Sequence, residues 1–199
     1  ITLEDIWASG AFRTKGMDAL QAMKNTNQYT VLNFDRASKT FQIDLYDFAT
    51  LKKVSTLVDS KNHVELSSID SYTLNAAETQ LLIALNSEQI YRHSSVADFY
   101  IYDIATKSLQ KVADYKIQEP TFSPDGKKIA YGYQNDLFVL DVASKKHMQI
   151  TNDGKKNAII NGITDWVYEE EFAFVRAFDW NKSGTHLAYI KFDESNVPE

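Results

Sequence analysis

The strongest constraint on the fold is an internal repeat of two short elements. The first is an aromatic or aliphatic strand that ends in an aspartate turn. It reads Leu45-Tyr-Asp-Phe-Ala-Thr50, Ile101-Tyr-Asp-Ile-Ala-Thr106 and Val139-Leu-Asp-Val-Ala-Ser144. The second is a polar turn that opens a strand. It reads Leu74-Asn-Ala-Ala-Glu-Thr-Gln-Leu-Leu-Ile83, Phe122-Ser-Pro-Asp-Gly-Lys-Lys-Ile-Ala-Tyr131 and Trp180-Asn-Lys-Ser-Gly-Thr-His-Leu-Ala-Tyr189. The order is always turn, strand, connection, strand, aspartate turn, strand. A spacing of about 40–50 residues with three or four strands per unit describes propeller blades. A four-stranded sheet cannot bury both faces alone, whereas blades packed around an axis bury them mutually. A β-sandwich can carry similar turns, but threefold recurrence of both elements favours the propeller.

Outside the repeats, Tyr29–Phe34 and Phe41–Tyr46 alternate as strands around a polar turn. The first 24 residues differ. Thr2 caps a short helix, and Asp18–Lys24 reads as one or two helical turns. The expected organisation is an N-terminal arm over 1–24 followed by an all-β partial propeller of about four blades over 25–199.

Two intervals overrun the period. One is Asn86–Ala97, between two strands of one blade; the other is Asn152–Val175. Insertions in repeat proteins collect on one face, often the binding face. The second holds Asp165 as an N-cap, then Trp166 to Phe172 as about two helical turns. Successive residues on a helix turn by about 100°, so Glu169, Glu170 and Glu171 cannot all face one cleft, though two neighbours can. An acidic, solvated turn is the plain reading of three glutamates. The flanking Trp166 and Tyr168 argue for a packed segment instead. A packed carboxylate pair serves general acid/base chemistry or captures a cation. The first insertion contributes Arg92, one of four arginines, in the run Tyr91-Arg-His-Ser94. Its planar guanidinium suits a carbonyl or carboxylate, with an ordinary surface arginine as the alternative. His93 reads as structural.

Composition removes other chemistries. The net charge of −6 disfavours nucleic acid and anionic membrane. Cysteine is absent, so disulfides and thiol catalysis are too. The four histidines have no metal-binding spacing, and no metal or other cofactor is expected. There is no GxSxG elbow and no glycine-rich phosphate loop. A start at Ile1 suggests a trimmed or mature product.

The run Asn161-Gly-Ile-Thr-Asp-Trp-Val-Tyr-Glu-Glu-Glu171 resembles the double-glutamate segment of the dipeptidyl peptidase IV family. Tyr91–Ser94 resembles that family's arginine segment, Thr2–Asp5 its mature start, and Phe192–Pro198 the stretch after the glutamates. The resemblance implies the first half of an eight-bladed β-propeller that covers a C-terminal α/β-hydrolase domain with a Ser-Asp-His triad. It implies removal of X-Pro or X-Ala dipeptides from peptide N-termini. Glu170 and Glu171 would hold the free amine, Arg92 would bind near the P2 carbonyl, and Glu169 would lie outside the pair. The hydrolase domain would be a partner of the same parent chain, with residues 1–24 packed on it. The triad is missing from these 199 residues, so they alone should be inactive. The parent is expected to be a bacterial homodimer that is periplasmic, secreted or on the cell surface. The alternatives are a non-enzymatic propeller scaffold and a prolyl tripeptidyl peptidase. A half-propeller with uncovered blade faces is expected to dimerise or aggregate by itself.

Overall fold

The computed structural model describes residues 1–12 and 20–198. A short helix α1 (Leu3–Trp7) opens the chain. Thr2 and Asp5 form a reciprocal capping box at its start, as the Thr-x-x-Asp spacing anticipates.

Three four-stranded antiparallel sheets follow in chain order. The first is β1 (Leu20–Ala22), β2 (Gln28–Asp35), β3 (Thr40–Asp47) and β4 (Lys53–Asp59). The second is β5 (Ser71–Leu74), β6 (Gln80–Gln89), β7 (Ser95–Asp103) and β8 (Leu109–Lys111). The third is β9 (Gln118–Phe122), β10 (Lys128–Tyr133), β11 (Asp136–Asp141) and β12 (Lys146–Gln149). Each is a meander in sequence order, which is the blade expected from the repeat. The chain closes on β13 (Ile159–Asn161), a helix α2 (Trp166–Phe172), β14 (Phe178–Trp180), β15 (Leu187–Tyr189) and β16 (Lys191–Asp193). β14 pairs with β15, and β13 with β16. The last unit is therefore one antiparallel hairpin whose first arm is interrupted by the α2 segment. About four blades resolve into three complete ones and the opening hairpin of a fourth.

The arm boundary needs correction. Leu20–Ala22 pairs with Tyr29–Val31 as the innermost strand of the first blade, so the blade begins inside the expected 1–24 arm. The helical turns expected over Asp18–Lys24 are replaced there by strand; Asp18 and Ala19 lie outside the described residues. Ladder pairing outweighs the helical propensity of Leu-Gln-Ala in so short a run.

Period-2 alternation builds the core. Leu81, Ile83 and Leu85 point to the first blade, where they meet Ile43 and Val58, with Tyr72 of their own sheet in the same layer. Leu82 points the other way and joins Ile101, Ile129 and Tyr131 of the next interface. Ala130, Leu137 and Val139 face the fourth unit, against Ile163, Val175 and Phe178. The cores are thus layers between blades, with the second and third sheets covered on both faces.

The repeated turns share one chemistry. In each aspartate turn the carboxylate accepts both the backbone N–H and the hydroxyl of the residue three later: Thr50, Thr106 and Ser144. Backbone and side-chain hydrogen bonds from those residues hold the Asp47, Asp103 and Asp141 carboxyls below their ordinary pKa. In the polar turns, Asn75 and Asn181 each accept two backbone N–H groups, and Ser123 accepts that of Lys128. Among the described residues no helix is long and apolar enough to cross a membrane.

Candidate functional site

Both insertions come together. The first is shorter than its sequence interval, because β6 and β7 extend into it past a register shift between Leu85 and Glu88. What remains is a five-residue loop, 90–94, closed by Ile90 N–H donating to Ser94 O at 2.9 Å. Gln89 Nε2 donates to the Tyr91 and Arg92 carbonyls, which fixes the loop crown.

The second insertion rises from β13 through Gly162, Ile163 and Thr164. Thr164 donates its backbone N–H to Val175 O and its hydroxyl to Phe174 O on the returning chain. Asp165 Oδ1 caps α2 by accepting from Tyr168 N–H at 2.8 Å. Ala173 in the left-handed conformation ends the helix, with its N–H on Glu169 O. The local sequence therefore makes a helix of two turns with both ends satisfied.

The three glutamates diverge, as the 100° step requires. Glu169 is 1% exposed and is the one buried residue of α2. Its Oε1 accepts the backbone N–H groups of His93 at 2.7 Å and Ser94 at 2.8 Å. Burial alone would raise this carboxyl, but the nearby Ser94 hydroxyl and the two backbone donors outweigh it and hold the pKa below the ordinary value. Glu170 faces Arg92, with Oε2 at 3.3 Å from Nε; the side chains are 16% and 73% exposed. Glu171 is exposed to solvent.

The two contacts between helix and loop are unequal. An exposed ion pair such as Arg92–Glu170 contributes about 0–1 kcal/mol. A hydrogen bond to a buried charged acceptor contributes about 1.5–3 kcal/mol, and Glu169 makes two. Glu169 therefore dominates the junction.

Trp166 does not anchor the helix, contrary to the expectation from its aromatic flanks: it is 55% exposed. Tyr168 packs, against Phe172, Phe174 and Phe192, though it too is partly exposed.

A second set of residues gives no warning in sequence. The inner strands β1, β5, β9 and β14 line a shared cavity of about 650 Å³. Glu119 and Arg176 lie on its wall. Arg176 Nη1 donates to Thr121 Oγ1 at 2.9 Å. Burial raises the Glu119 pKa, and the attraction of Arg176 opposes the repulsion of Glu169. A Glu-Pro pair at the start of a strand carries no motif, and Arg176 stands alone among aromatic and small residues.

Residues 75–199 match the model of the dipeptidyl peptidase IV N-terminal region. The chain belongs to the dipeptidyl peptidase IV family. It is 31% identical to dipeptidyl peptidase 4 of Felis catus, over 92% of this chain and 27% of that protein. It is 32% identical to dipeptidyl aminopeptidase B of Saccharomyces cerevisiae, over 85% of this chain and 20% of that protein. The crystal structure of Porphyromonas gingivalis dipeptidyl peptidase 4 superposes with a TM-score of 0.88 at 32% identity, covering 100% of this chain and 28% of that one. The chain spans 20–28% of the length of these relatives. The tricorn protease shares only the fold, at 15% identity and a TM-score of 0.53 over 82% of this chain and 14% of that one. Within the dipeptidyl peptidase IV family, then, this segment is the N-terminal region, and both insertions that meet at Arg92 and Glu170 lie inside the matched residues.

Proposed function

We propose that this segment reads the free N-terminus of a peptide for a serine exopeptidase that releases X-Pro or X-Ala dipeptides. The observation that supports the reading is the pairing of Arg92 with Glu170 across two insertions separated by a whole blade, with Glu171 next to Glu170 on α2. A loop and a helix with no sequence continuity present a guanidinium and a carboxylate to each other at one junction. A peptide α-amino group has a pKa of about 7.7–8.0 and is mostly cationic at neutral pH. At about 4 Å and an effective dielectric of about 20, one charge pair is worth roughly 4 kcal/mol before desolvation. Glu170, already paired on one side with Arg92, and Glu171, open to solvent, supply two such charges. Arg92 offers N–H donors to the carbonyl that follows the amine.

In this reading the propeller is a ruler. The glutamates fix the amine, and the nucleophilic serine of the following hydrolase domain reaches the bond a fixed distance away. The peptide substrate and that hydrolase domain are the partners, and the parent works as a homodimer outside the cytoplasm.

The test uses the full-length protein and one X-Pro peptide in free and N-acetylated forms. Wild type should cleave the free peptide far better, and Glu170→Gln and Glu171→Gln should each lose most of that preference. Equal cleavage of the acetylated peptide by wild type would sink the amine-clamp reading.

A further inference from the structure

We propose that Glu169 is a positioning residue: it latches the 90–94 loop to α2 and so sets where Arg92 stands relative to Glu170 before and after the amine binds. The inference rests on the amine-binding reading and assigns the third glutamate a task of its own.

Three observations carry it. Glu169 is the one side chain of α2 that is buried, while Trp166, Val167, Tyr168 and Phe172 all remain substantially exposed. A helix of seven residues with so little apolar burial is held by its caps and by this carboxylate. Next, both Glu169 bonds go to backbone N–H groups, of His93 and Ser94, and not to side chains. They fix the course of the main chain immediately after Arg92, whatever the Arg92 side chain does. Finally, a second contact between loop and helix is the Arg92–Glu170 pair, exposed on its Arg92 side, which is also the pair a substrate amine would disturb. When Glu170 turns part of its charge to an incoming ammonium, its hold on Arg92 weakens. Without the Glu169 latch, the loop would then be free to move as the substrate arrives. With it, Glu170 can be shared between guanidinium and ammonium at fixed geometry.

The experiment uses the full-length protein, with rates normalised to the serine that reacts with an irreversible active-site reagent, so that unfolded molecules do not count. Glu169→Ala should lower kcat/KM on a free X-Pro peptide about 10- to 100-fold, as expected for lost hydrogen bonds to a charged acceptor. Glu169→Gln keeps an oxygen that can accept both N–H groups and should lose less than Glu169→Ala. Glu169→Asp withdraws the oxygens by one methylene and should lose more than Glu169→Gln, which keeps the test open if the alanine variant fails to fold.

The deciding readout is coupling. In an Arg92→Ala background the Glu169 substitutions should have little further effect, less than about 3-fold, because the group being positioned is gone. Full multiplicative losses in that background would overturn the proposal, as would unchanged kinetics for Glu169→Asp. If Arg92→Ala itself leaves kcat/KM unchanged, the amine-binding reading fails first. If Arg92→Ala impairs catalysis and Glu169 does not couple to it, only the latch fails.

Discussion

Asn161 Nδ2 donates to Asp136 Oδ1 at 3.1 Å, and the two buried residues join the stem of the α2 segment to the third blade. The same Asp136 oxygen accepts Thr151 Oγ1 at 2.7 Å and Gly154 N–H at 3.0 Å. One carboxylate therefore organises the entry to β11, the bend after β12 and the start of the second insertion. Asp136→Ala leaves these donors without it, and a buried unsatisfied donor costs about 1–3 kcal/mol. We expect a loss on the order of 3 kcal/mol for Asp136→Ala and a smaller one for Asp136→Asn, read as the midpoint of thermal unfolding of the full-length protein. An unchanged midpoint for Asp136→Ala would show that water replaces the carboxylate at no cost.

Gly162 follows directly in the chain, at φ +73°. A Cβ there would lie 2.6 Å from Leu137 Cδ2, in the core between the third blade and the fourth unit. Conformation and space both demand glycine at this point, where the chain leaves β13 for α2. Gly162→Ala should destabilise by about 1–3 kcal/mol through overpacking and backbone strain. The paired variant Gly162→Ala, Leu137→Ala tests the cause. It should recover part of the steric loss, and purely additive losses would locate the penalty in the backbone alone.

The blades were legible because their turns are side-chain chemistry. An aspartate with Thr or Ser three residues on builds its own turn, so Asp47, Asp103 and Asp141 mark three equivalent positions without tertiary information. Leu20–Ala22 was not legible: three residues with good helical propensity become a strand only because β2 offers an edge. At the site, the helix, its Asp165 cap and the divergence of the glutamates follow from local rules. Which glutamate turns inward does not. The apolar side chains of α2 face out and a charged one faces in, the reverse of an amphipathic pattern. Only the arrival of the 90–94 loop, from a different blade, supplies the N–H groups that make burial of Glu169 favourable.

Arg92 offers a kinetic prediction. Its side chain is mostly exposed, so truncating Arg92 removes little packing from the fold. Arg92→Ala in the full-length protein should leave the thermal midpoint nearly unchanged and lower kcat/KM on dipeptidyl substrates about 10- to 150-fold, the range for one charge-assisted hydrogen bond of about 1.5–3 kcal/mol. Arg92→Lys keeps the charge without the planar fork and should recover only part of the loss. Wild-type kinetics in Arg92→Ala would reduce this residue to a surface arginine.

Glu119 gives a prediction about pH. Burial on the wall of the inner cavity, with Glu169 nearby, raises its pKa despite the attraction of Arg176. A carboxyl whose folded pKa exceeds its unfolded value, about 4.3, destabilises the fold when it is ionised. The penalty is fully present above the folded pKa, shrinks as pH falls through it, and vanishes below the unfolded value. Glu119→Gln has nearly the same shape and no charge, and Arg176 keeps its hydrogen bond to Thr121. The variant should therefore unfold at a higher temperature than wild type at pH 7. The gap should narrow steadily on acidification and be absent at about pH 4. Thermal unfolding of the two full-length proteins at a series of pH values reads this directly. A lower midpoint for Glu119→Gln at pH 7 would mean that attraction to Arg176 outweighs burial and the repulsion from Glu169, and that Glu119 stabilises the inner wall as an ion.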